Sequence, residues 1–358
     1  MEALLMFDKM IIKSSLKDYE VIFVNNFAEI LSKKDDLESY FIIDQKILKI
    51  FEETFGAFLD KHQCLPVEAI EQNKTLAQCQ VVIKELINKN IRKNNVLVAV
   101  GGGIIQDITA FISSILFRGI NWEFYPTTLL AQADSCIGSK TSINLDEYKN
   151  LLGTFYPPSK IYIDVNFLDS LPIKEIKSGI GEILHFYLIA GSELAESMTN
   201  EYESLIANPK LLKDYILASL QIKKQTVERD EFDKNERNLF NYGHSFGHAI
   251  ETLSGYKINH GQAVTMGMDV ANYISVKYGY MNKRMFETMH RLLAKNLPDF
   301  RLEPLRVNDF LQALSKDKKN IGDNLGCVLT RGPGRMEKVF IPLDDSLKRM
   351  ILSYFEQS

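Results

Sequence analysis

The strongest constraint on the fold is an alternation of short apolar runs with longer amphipathic stretches in the first part of the chain. The apolar runs predict buried parallel strands at Tyr19–Val24, Tyr40–Asp44, Val96–Val100 and Ile161–Asp164. Between two of these runs, Thr75–Lys89 carries apolar side chains at helical spacing. Strand–helix–strand alternation of this kind favours an open, doubly wound α/β sheet.

The second half of the chain has a different pattern, in which strand signals fade and helical spacing dominates. Helices are predicted at Ile173–Ala190, Leu211–Val227, Asn238–Leu253, Gln262–Tyr278 and Lys283–Leu293. A late hairpin is expected around Gly326–Pro342, because Gly332, Pro333 and Gly334 are typical turn residues. With 358 residues to accommodate, we predict two domains, residues 1–165 and residues 166–358.

Composition and charge argue against several classes of protein. The net charge of −4 gives no support for nucleic-acid binding. The chain has no apolar run of the roughly 18 residues that would predict a membrane span, and its first ten residues lack the features of a signal peptide. The four cysteines are scattered without CxxC spacing. They predict reduced thiols in a cytoplasmic protein, without a thiolate metal site.

Histidine is scarce, and its distribution predicts a site. Four of the six histidines, His185, His244, His248 and His260, fall within residues 185–260. His244 and His248 are four residues apart, so they share one face of a helix. Imidazoles with a carboxylate suit a divalent ion such as zinc, although a pair of histidines also occurs on ordinary polar faces. Glu182 shares a helix face with His185, where a carboxylate needs a partner or a metal unless it is exposed.

A glycine turn and a polar run predict ligand contacts in the first domain. Gly101, Gly102 and Gly103 lie between a strand and the apolar helix Ile104–Leu116. Such a turn lets a phosphate approach the backbone at a helix N-terminus, but a tight turn that needs positive φ is the alternative, and GxGxxG is absent. After strand-like Trp122–Tyr125, a polar run continues to Asn150. It is either a functional segment or a polar loop with a helix cap.

Taken in order, these motifs resemble the dehydroquinate synthase or sugar-phosphate cyclase family over about residues 40–320. The matching runs are GGGIIQD, YPTTLLAQADSCIGSKT, GIGEIL and NLFNYGHSFGHAIE. The resemblance implies an α/β Rossmann-like N-terminal domain and a mostly α-helical, metal-binding C-terminal domain. It also implies NAD, a divalent metal (zinc, with cobalt as the alternative) and a homodimer.

The resemblance also assigns roles to individual residues. It implies three metal ligands, which are Glu182, His244 and His260. It implies an NAD site formed by Asp44, Glu71, Lys74, Gly101, Gly102, Gly103, Asp107, Thr127, Thr128 and Lys149. It implies catalytic residues at Asp134, Lys140, His185, Lys223, Arg237, Asn241 and His248. It implies a substrate-phosphate site formed by Arg118, Asn150, Lys318 and Lys319.

The implied reaction is a cyclisation without net redox change. NAD takes a hydride from a ring hydroxyl that the metal makes more acidic, phosphate leaves, the hydride returns, and an aldol step closes a carbocycle. The expected substrate is a small phosphorylated sugar acid, 3-deoxy-arabino-heptulosonate 7-phosphate. The product would be 3-dehydroquinate, in the shikimate pathway to aromatic amino acids.

Four positions depart from the family pattern and leave the substrate open. His185 replaces a usual lysine, Gln262 a usual glutamate, and Ser139 and Gln106 usual glycines. Two of these lie near the expected metal, so a cyclase of a specialised cyclitol pathway with a different sugar phosphate is the first alternative. A polyol-phosphate dehydrogenase and a non-catalytic relative are the others.

Overall fold

The computed structural model describes residues 9–32, 38–53, 63–146, 148–317 and 319–357, and the chain divides into two compact units. The first unit is Met1–Leu171 with Val227–Phe232, and the second is Pro172–Thr226 with Asp233–Ser358. The first unit therefore extends to Leu171, past the short helical turn Val165–Ser170. Lys318, one of the predicted phosphate-binding lysines, lies outside the described residues.

The first unit is organised around one twisted sheet. Its described strands are β1 Lys9–Ile12, β2 Tyr19–Phe23, β3 Ser39–Asp44, β4 Gln63–Val67, β5 Val96–Gly101, β6 Asn121–Pro126, β7 Ile143–Leu145, β8 Tyr148–Leu152 and β9 Lys160–Ile163. The main sheet has the order β1-β2-β9-β6-β5-β3-β4. Among its described strands, β1 and β2 pair antiparallel and the other pairs are parallel, while β7 and β8 form a separate hairpin. The central strands are buried along their length, as continuous apolar runs require.

Helices follow four strands of this sheet, β2, β3, β4 and β5, along the described chain. They are α1 Phe27–Ser32, α2 Gln45–Ile50, α3 Leu76–Asn88 and α4 Gly103–Ile115. The buried Asp164 carboxylate accepts the Phe27 backbone N–H at 2.8 Å and so satisfies the start of α1. The neighbouring strands β3, β5 and β6 run parallel, so Asp44, the Gly101–Gly103 turn and Thr127 follow at the same edge of the sheet. This edge is where open α/β sheets bind ligands.

The second unit is mostly helical. Its helices are α5 Ile173–Ala190, α6 Leu194–Asn200, α7 Tyr202–Ala207, α8 Lys213–Arg229, α9 His244–Leu253, α10 His260–Lys277, α11 Lys283–Leu293, α12 Val307–Ser315 and α13 Asp345–Gln357, although the last residues of α8 group with the first unit. Strands β10 Asn324–Thr330 and β11 Met336–Pro342 form the predicted late hairpin. Among the described helices, none has the length and apolar character needed to cross a membrane.

The helix predicted over Asn238–Leu253 is wrong in its first part. A short 3₁₀ helix covers Glu236–Asn241, and α9 begins only at His244. Between them Gly243 has φ +78°, a left-handed conformation that interrupts the helical spacing. A Cβ at Gly243 would lie 2.5 Å from the Met268 Cγ of α10, so the break also allows a close approach of the two segments.

Two glycines bring α5 and α10 into backbone contact. A Cβ at Gly261 would lie 1.7 Å from the Ser178 carbonyl oxygen, and one at Gly181 would lie 2.1 Å from the Gly261 carbonyl oxygen. The Ser178 hydroxyl also accepts the Gly261 N–H at 3.0 Å. Glu182 and His260 are the chain neighbours of these glycines, so the crossing brings the two side chains together.

Candidate functional site

Three side chains of the second unit converge as metal ligands would. Glu182 projects from the middle of α5, while His244 and His260 are the first residues of α9 and α10. His260 Nε2 lies 3.3 Å from Glu182 Oε1, and His244 Nε2 lies 3.8 Å from the same oxygen. One ligand atom from each of the three residues lies within 4.8 Å of the others.

The other ring nitrogen of each histidine has a partner that orients the ring. His244 Nδ1 lies 3.2 Å from the Tyr242 carbonyl oxygen, and His260 Nδ1 lies 3.3 Å from Glu251 Oε2. A carbonyl can only accept, so the His244 bond requires Nδ1–H and leaves the Nε2 lone pair directed at Glu182. Metal-binding histidines commonly use a carbonyl or carboxylate in this way. Glu251 was not among the predicted site residues, although it stands three residues after His248.

Burial and mutual charge interactions couple the protonation states of this trio in the absence of a metal. Burial works to raise the pKa of Glu182, but His244 and His260 outweigh it and lower that pKa. Burial lowers the pKa of His244 to about 3 despite Glu182. Burial also opposes the charge on His260, but Glu251 and Glu182 raise its pKa well above the ordinary value.

The unmet hydrogen-bonding capacity of Glu182 fits a bound cation. Within the described part of the chain, buried Glu182 Oε1 makes no hydrogen bond of normal geometry, and its ion-pair neighbours are the Nε2 atoms of His260 and His244 at 3.3 and 3.8 Å. A buried carboxylate oxygen without a well-formed hydrogen bond is costly, and a cation bound by the trio would satisfy it. Two imidazoles and one carboxylate also leave a coordination position open, which is typical of catalytic rather than structural zinc sites.

Two further histidines lie beside the trio. His185 is 1% exposed, and its Nδ1 lies 3.7 Å from Glu182 Oε2. His248 is exposed, and its ring centre lies 5.7 Å from those of His244 and His260. With Glu251 and His260, His248 also forms a second group whose ligand atoms lie within 4.8 Å of one another. The assignment of His248 to substrate rather than metal therefore stays a prediction.

Cations and amides predicted to face the substrate also lie in the second unit. The Lys223 ammonium on α8 is buried and lies 5.8 Å from the ring centre of Phe186, which follows His185. Lys319 Nζ donates to Asn241 Oδ1 at 3.3 Å. Arg237, which is buried, and Asn241, which is half-buried, share the 3₁₀ helix Glu236–Asn241.

In the first unit, the predicted NAD-binding residues Glu71, Lys74 and Asp107 come together. Lys74 Nζ donates to Asp107 Oδ2 at 3.1 Å and lies 3.7 Å from Glu71 Oε1. Burial raises the pKa of Asp107 against the opposing effect of Lys74. Lys74 also donates to Asn150 Oδ1 at 2.6 Å, so Asn150, predicted for substrate phosphate, lies within this cluster. The Ser142 hydroxyl, which was not predicted, bonds to Asp107 and Asn150 at 3.1 and 2.9 Å.

The glycines between β5 and α4 are explained by close neighbouring atoms rather than by a positive φ angle. Positive φ is absent at Gly101, Gly102 and Gly103, so the tight-turn alternative is wrong. A Cβ at Gly102 would lie 2.9 Å from Thr128 Cγ2, and one at Gly101 would lie 2.6 Å from Ile105 Cγ1. A side chain at Gly101 or Gly102 would therefore force a neighbour to move, whereas a Cβ at Gly103 would make only an ordinary contact. Asp44 caps α2 by accepting the Lys46 N–H at 2.9 Å, and burial raises the pKa of Asp44.

The remaining predicted residues of the first unit lie in turns and, for Lys149, in strand β8. Arg118 is exposed in a turn where φ is +51° at Phe117, +60° at Arg118 and +109° at Gly119. Asp134 lies in the single π-helical turn Ala131–Ser135, and Lys140 and Lys149 are exposed. Their roles stay predictions.

Two of the departures from the family pattern have defined partners. The Gln106 amide donates to the Ser135 carbonyl at 2.6 Å, and the Ser135 hydroxyl donates back to Gln106 Oε1 at 2.6 Å. This pair links α4 to the turn that carries Asp134. The Gln262 amide donates to the Asn296 carbonyl at 3.5 Å.

The fold and the trio together define a class: an α/β sheet of the nucleotide-binding type, joined to a helical unit with a carboxylate and two imidazoles at a candidate metal site. The profile described as 3-dehydroquinate synthase N-terminal matches residues 64–178, and the C-terminal one matches residues 179–320. The 3-dehydroquinate synthase of Dictyoglomus turgidum (strain DSM 6724 / Z-1310) is 37% identical over 331 residues, which are 90% of this chain and 92% of the relative. The chain belongs to the 3-dehydroquinate synthase family.

Solved structures agree with this assignment. A 2-deoxy-scyllo-inosose synthase complexed with carbaglucose-6-phosphate, NAD⁺ and Co²⁺ is 26% identical, with a TM-score of 0.85 over 96% of this chain and 99% of that one. A 2-epi-5-epi-valiolone synthase from Streptomyces hygroscopicus subsp. jinggangensis 5008, with NAD⁺ and Zn²⁺ bound, is 24% identical and shares the fold with a TM-score of 0.81, covering 97% of this chain and 99% of that one. The predicted family, fold class and enzyme class are confirmed.

Proposed function

We propose that this chain catalyses the NAD- and divalent-metal-dependent conversion of 3-deoxy-arabino-heptulosonate 7-phosphate to 3-dehydroquinate, with loss of phosphate. The observation that carries the proposal is the trio of Glu182, His244 and His260, in a chain that covers 92% of a relative named for this reaction. Within the described residues, its buried carboxylate oxygen makes no hydrogen bond of normal geometry, which a bound cation would explain.

In this proposal, the metal is held by Glu182 Oε1 and by the Nε2 atoms of His244 and His260. When bound, the metal and NAD supply a Lewis acid and a reversible hydride acceptor at one ring hydroxyl of the substrate. The Tyr242 carbonyl and Glu251 hold the Nδ1 atoms of the two imidazole rings, which would leave both Nε2 atoms for the metal. We propose zinc, because two histidines and a glutamate with an open position are typical of catalytic zinc.

In this proposal, the first unit binds NAD. The backbone N–H groups at the start of α4 face a phosphate favourably, and Gly101–Gly103 leave the backbone bare there. Lys74 is already fixed by Asp107 and Asn150, so it loses little side-chain freedom on binding. The other proposed contacts are Asp44, Glu71, Thr127, Thr128 and Lys149.

Substrate binding requires cations for a phosphate and a carboxylate, and protein groups that move protons. The proposed cations are Arg118, Lys140, Lys223, Arg237 and Lys319, with Asn150 and Asn241 as amide partners. The imidazoles of His185 and His248 and the carboxylate of Asp134 are the groups that can transfer protons to and from substrate oxygens. A homodimer and a cytoplasmic location complete the proposal, the latter because the cysteines in the described residues are all free thiols.

One incubation separates the competing activities. Purified protein is mixed with zinc, NAD and the heptulosonate phosphate, and phosphate release is measured together with NADH absorbance. A cyclase releases phosphate over many turnovers without accumulating NADH, whereas a polyol-phosphate dehydrogenase accumulates NADH in proportion to product. If protein that has bound zinc releases no phosphate, the proposal is refuted.

A second candidate is a cyclase for a different sugar phosphate. It is favoured by His185 beside the trio and by the likeness to the inosose synthase. Phosphate release from a heptulose or hexose phosphate that lacks the carboxylate, but not from the heptulosonate, would select it.

A further inference from the structure

The Glu231 carboxylate joins three segments of the first unit that are far apart in the sequence. It accepts the Ser14 hydroxyl at 2.6 Å, and the Ser15 hydroxyl and N–H at 2.7 and 2.9 Å. It also accepts the Ser139 hydroxyl at 2.8 Å. Burial works to raise the pKa of Glu231, but these hydrogen bonds outweigh it and lower that pKa. Glu231 is therefore an ionised acceptor that holds the turn after β1 and the segment around Ser139 together.

Ser139 has a backbone conformation that needs such support. Its φ is +63°, in the left-handed region that residues with a Cβ avoid. The next residue is Lys140, whose N–H donates to the Gly138 carbonyl at 2.8 Å, while the Ser139 carbonyl accepts the Tyr156 N–H at 2.7 Å. The direction in which the Lys140 side chain leaves this turn depends on the Ser139 dihedral angles.

We propose that Glu231 is a positioning residue for Lys140, and that it acts by holding Ser139 in its left-handed conformation. The inference rests on the proposed function, in which Lys140 contacts the substrate. Glu228 provides a matched comparison, because it accepts the Lys13 N–H at 2.7 Å. It thus binds the same turn after β1 from the same stretch of chain, but its described hydrogen bond does not involve Ser139.

The first test is kinetic. Glu231→Ala is expected to lower kcat/KM for the sugar phosphate by about 10-fold, mainly through KM, because a displaced binding group weakens substrate contacts. Glu228→Ala should stay within about 2-fold of wild type. Ser139→Ala, which keeps the Cβ and loses the hydroxyl, should resemble Glu231→Ala. Ser139→Gly adopts positive φ unaided, so adding it to Glu231→Ala should restore kcat/KM to within about 3-fold of wild type.

Two kinetic outcomes overturn the proposal: an equal loss in Glu228→Ala, or a Glu231→Ala defect that Ser139→Gly leaves unchanged. A wild-type protein without phosphate release refutes the proposed function instead, and a second readout then decides the inference. The acylation rate of the Lys140 ε-amine by an amine-reactive ester is measured by mass spectrometry relative to Lys160 of β9. It should change at least about 3-fold in Glu231→Ala and return in the double variant, since the side chain's surroundings change with the turn. An unchanged relative rate overturns the inference.

Discussion

The glycine crossing between α5 and α10 leads to the sharpest prediction about the metal site. In Gly261→Ala, the new Cβ would lie 1.7 Å from the Ser178 carbonyl oxygen, whereas ordinary contacts begin at 3.4 Å. The two helices must therefore separate locally by about 1.7 Å or distort by a similar amount. Overpacking of this kind costs about 1–3 kcal/mol of folding free energy, and a backbone atom cannot move aside as a side-chain end can.

The same displacement acts on the metal ligands. His260 precedes Gly261 and Glu182 follows Gly181, so their 3.3 Å separation cannot survive a shift of that size. Metal–ligand distances tolerate only about 0.2 Å. We expect Gly261→Ala to bind zinc at least about 100-fold more weakly than wild type, in line with the effect of disturbing a ligand's orientation. Competition with a chromophoric chelator gives the affinity, and circular dichroism shows whether the helices are retained.

Two variants make this prediction refutable. Gly181→Ala places a new Cβ at the same crossing from the other helix, 2.1 Å from the Gly261 carbonyl oxygen. It should give a similar loss of zinc affinity. Gln262→Ala, one position along α10, removes atoms instead of adding them and should bind zinc normally. Wild-type zinc affinity in both glycine variants would show that the crossing does not set the ligand spacing.

Three further outcomes are expected. Glu251→Gln should lower zinc affinity by about 10–100-fold, measured by chelator competition, because it weakens the support of His260 Nδ1; unchanged affinity contradicts that role. Gly102→Ala should weaken NAD binding by about 10-fold in a fluorescence titration, because its Cβ would lie 2.9 Å from Thr128. Normal binding contradicts the proposed role of the Gly101–Gly103 turn in NAD binding. The Asp269 hydrogen bond raises the pKa of folded His290, so this pair stabilises the protein below about pH 6.5 and the effect fades as the pH rises through the folded pKa. His290→Gln should therefore lower the urea midpoint at pH 5.5 more than at pH 8.5, and equal shifts refute the linkage.

Much of the fold could be predicted from the sequence, because buried parallel strands and long amphipathic helices leave strong periodic patterns. The helix Ile173–Ala190 and the late hairpin are found where the patterns predict them. Strand β4 was missed because it is an edge strand interrupted by Pro66, which cannot donate to a ladder. The helix start at His244 was missed because the left-handed Gly243 depends on packing against α10, which the local sequence does not reveal.

The site was predictable mainly through the resemblance. Spacing alone groups His244 with His248, since both lie on one helix face, and leaves Glu182 as an acid of uncertain surroundings. The crossing of α5 and α10 is what brings His260 to 3.3 Å from Glu182. The spacing within α9, which groups His244 with His248, does not reveal this contact. The role of Glu251 depends on which ring nitrogen faces it, and the local sequence does not determine that.

The strand order has a consequence for how the protein is made. Strand β2 lies beside β9, and the ribosome reaches β9 roughly 140 residues after β2. Synthesis proceeds at about 5–20 residues per second, so the hairpin of β1 and β2 remains without its parallel neighbour for on the order of ten seconds. Throughout that interval the nascent chain carries an open strand edge, which is the template for aggregation. A translational pause before residue 160 is therefore expected to cost soluble yield, and a pause after β9 has emerged is not.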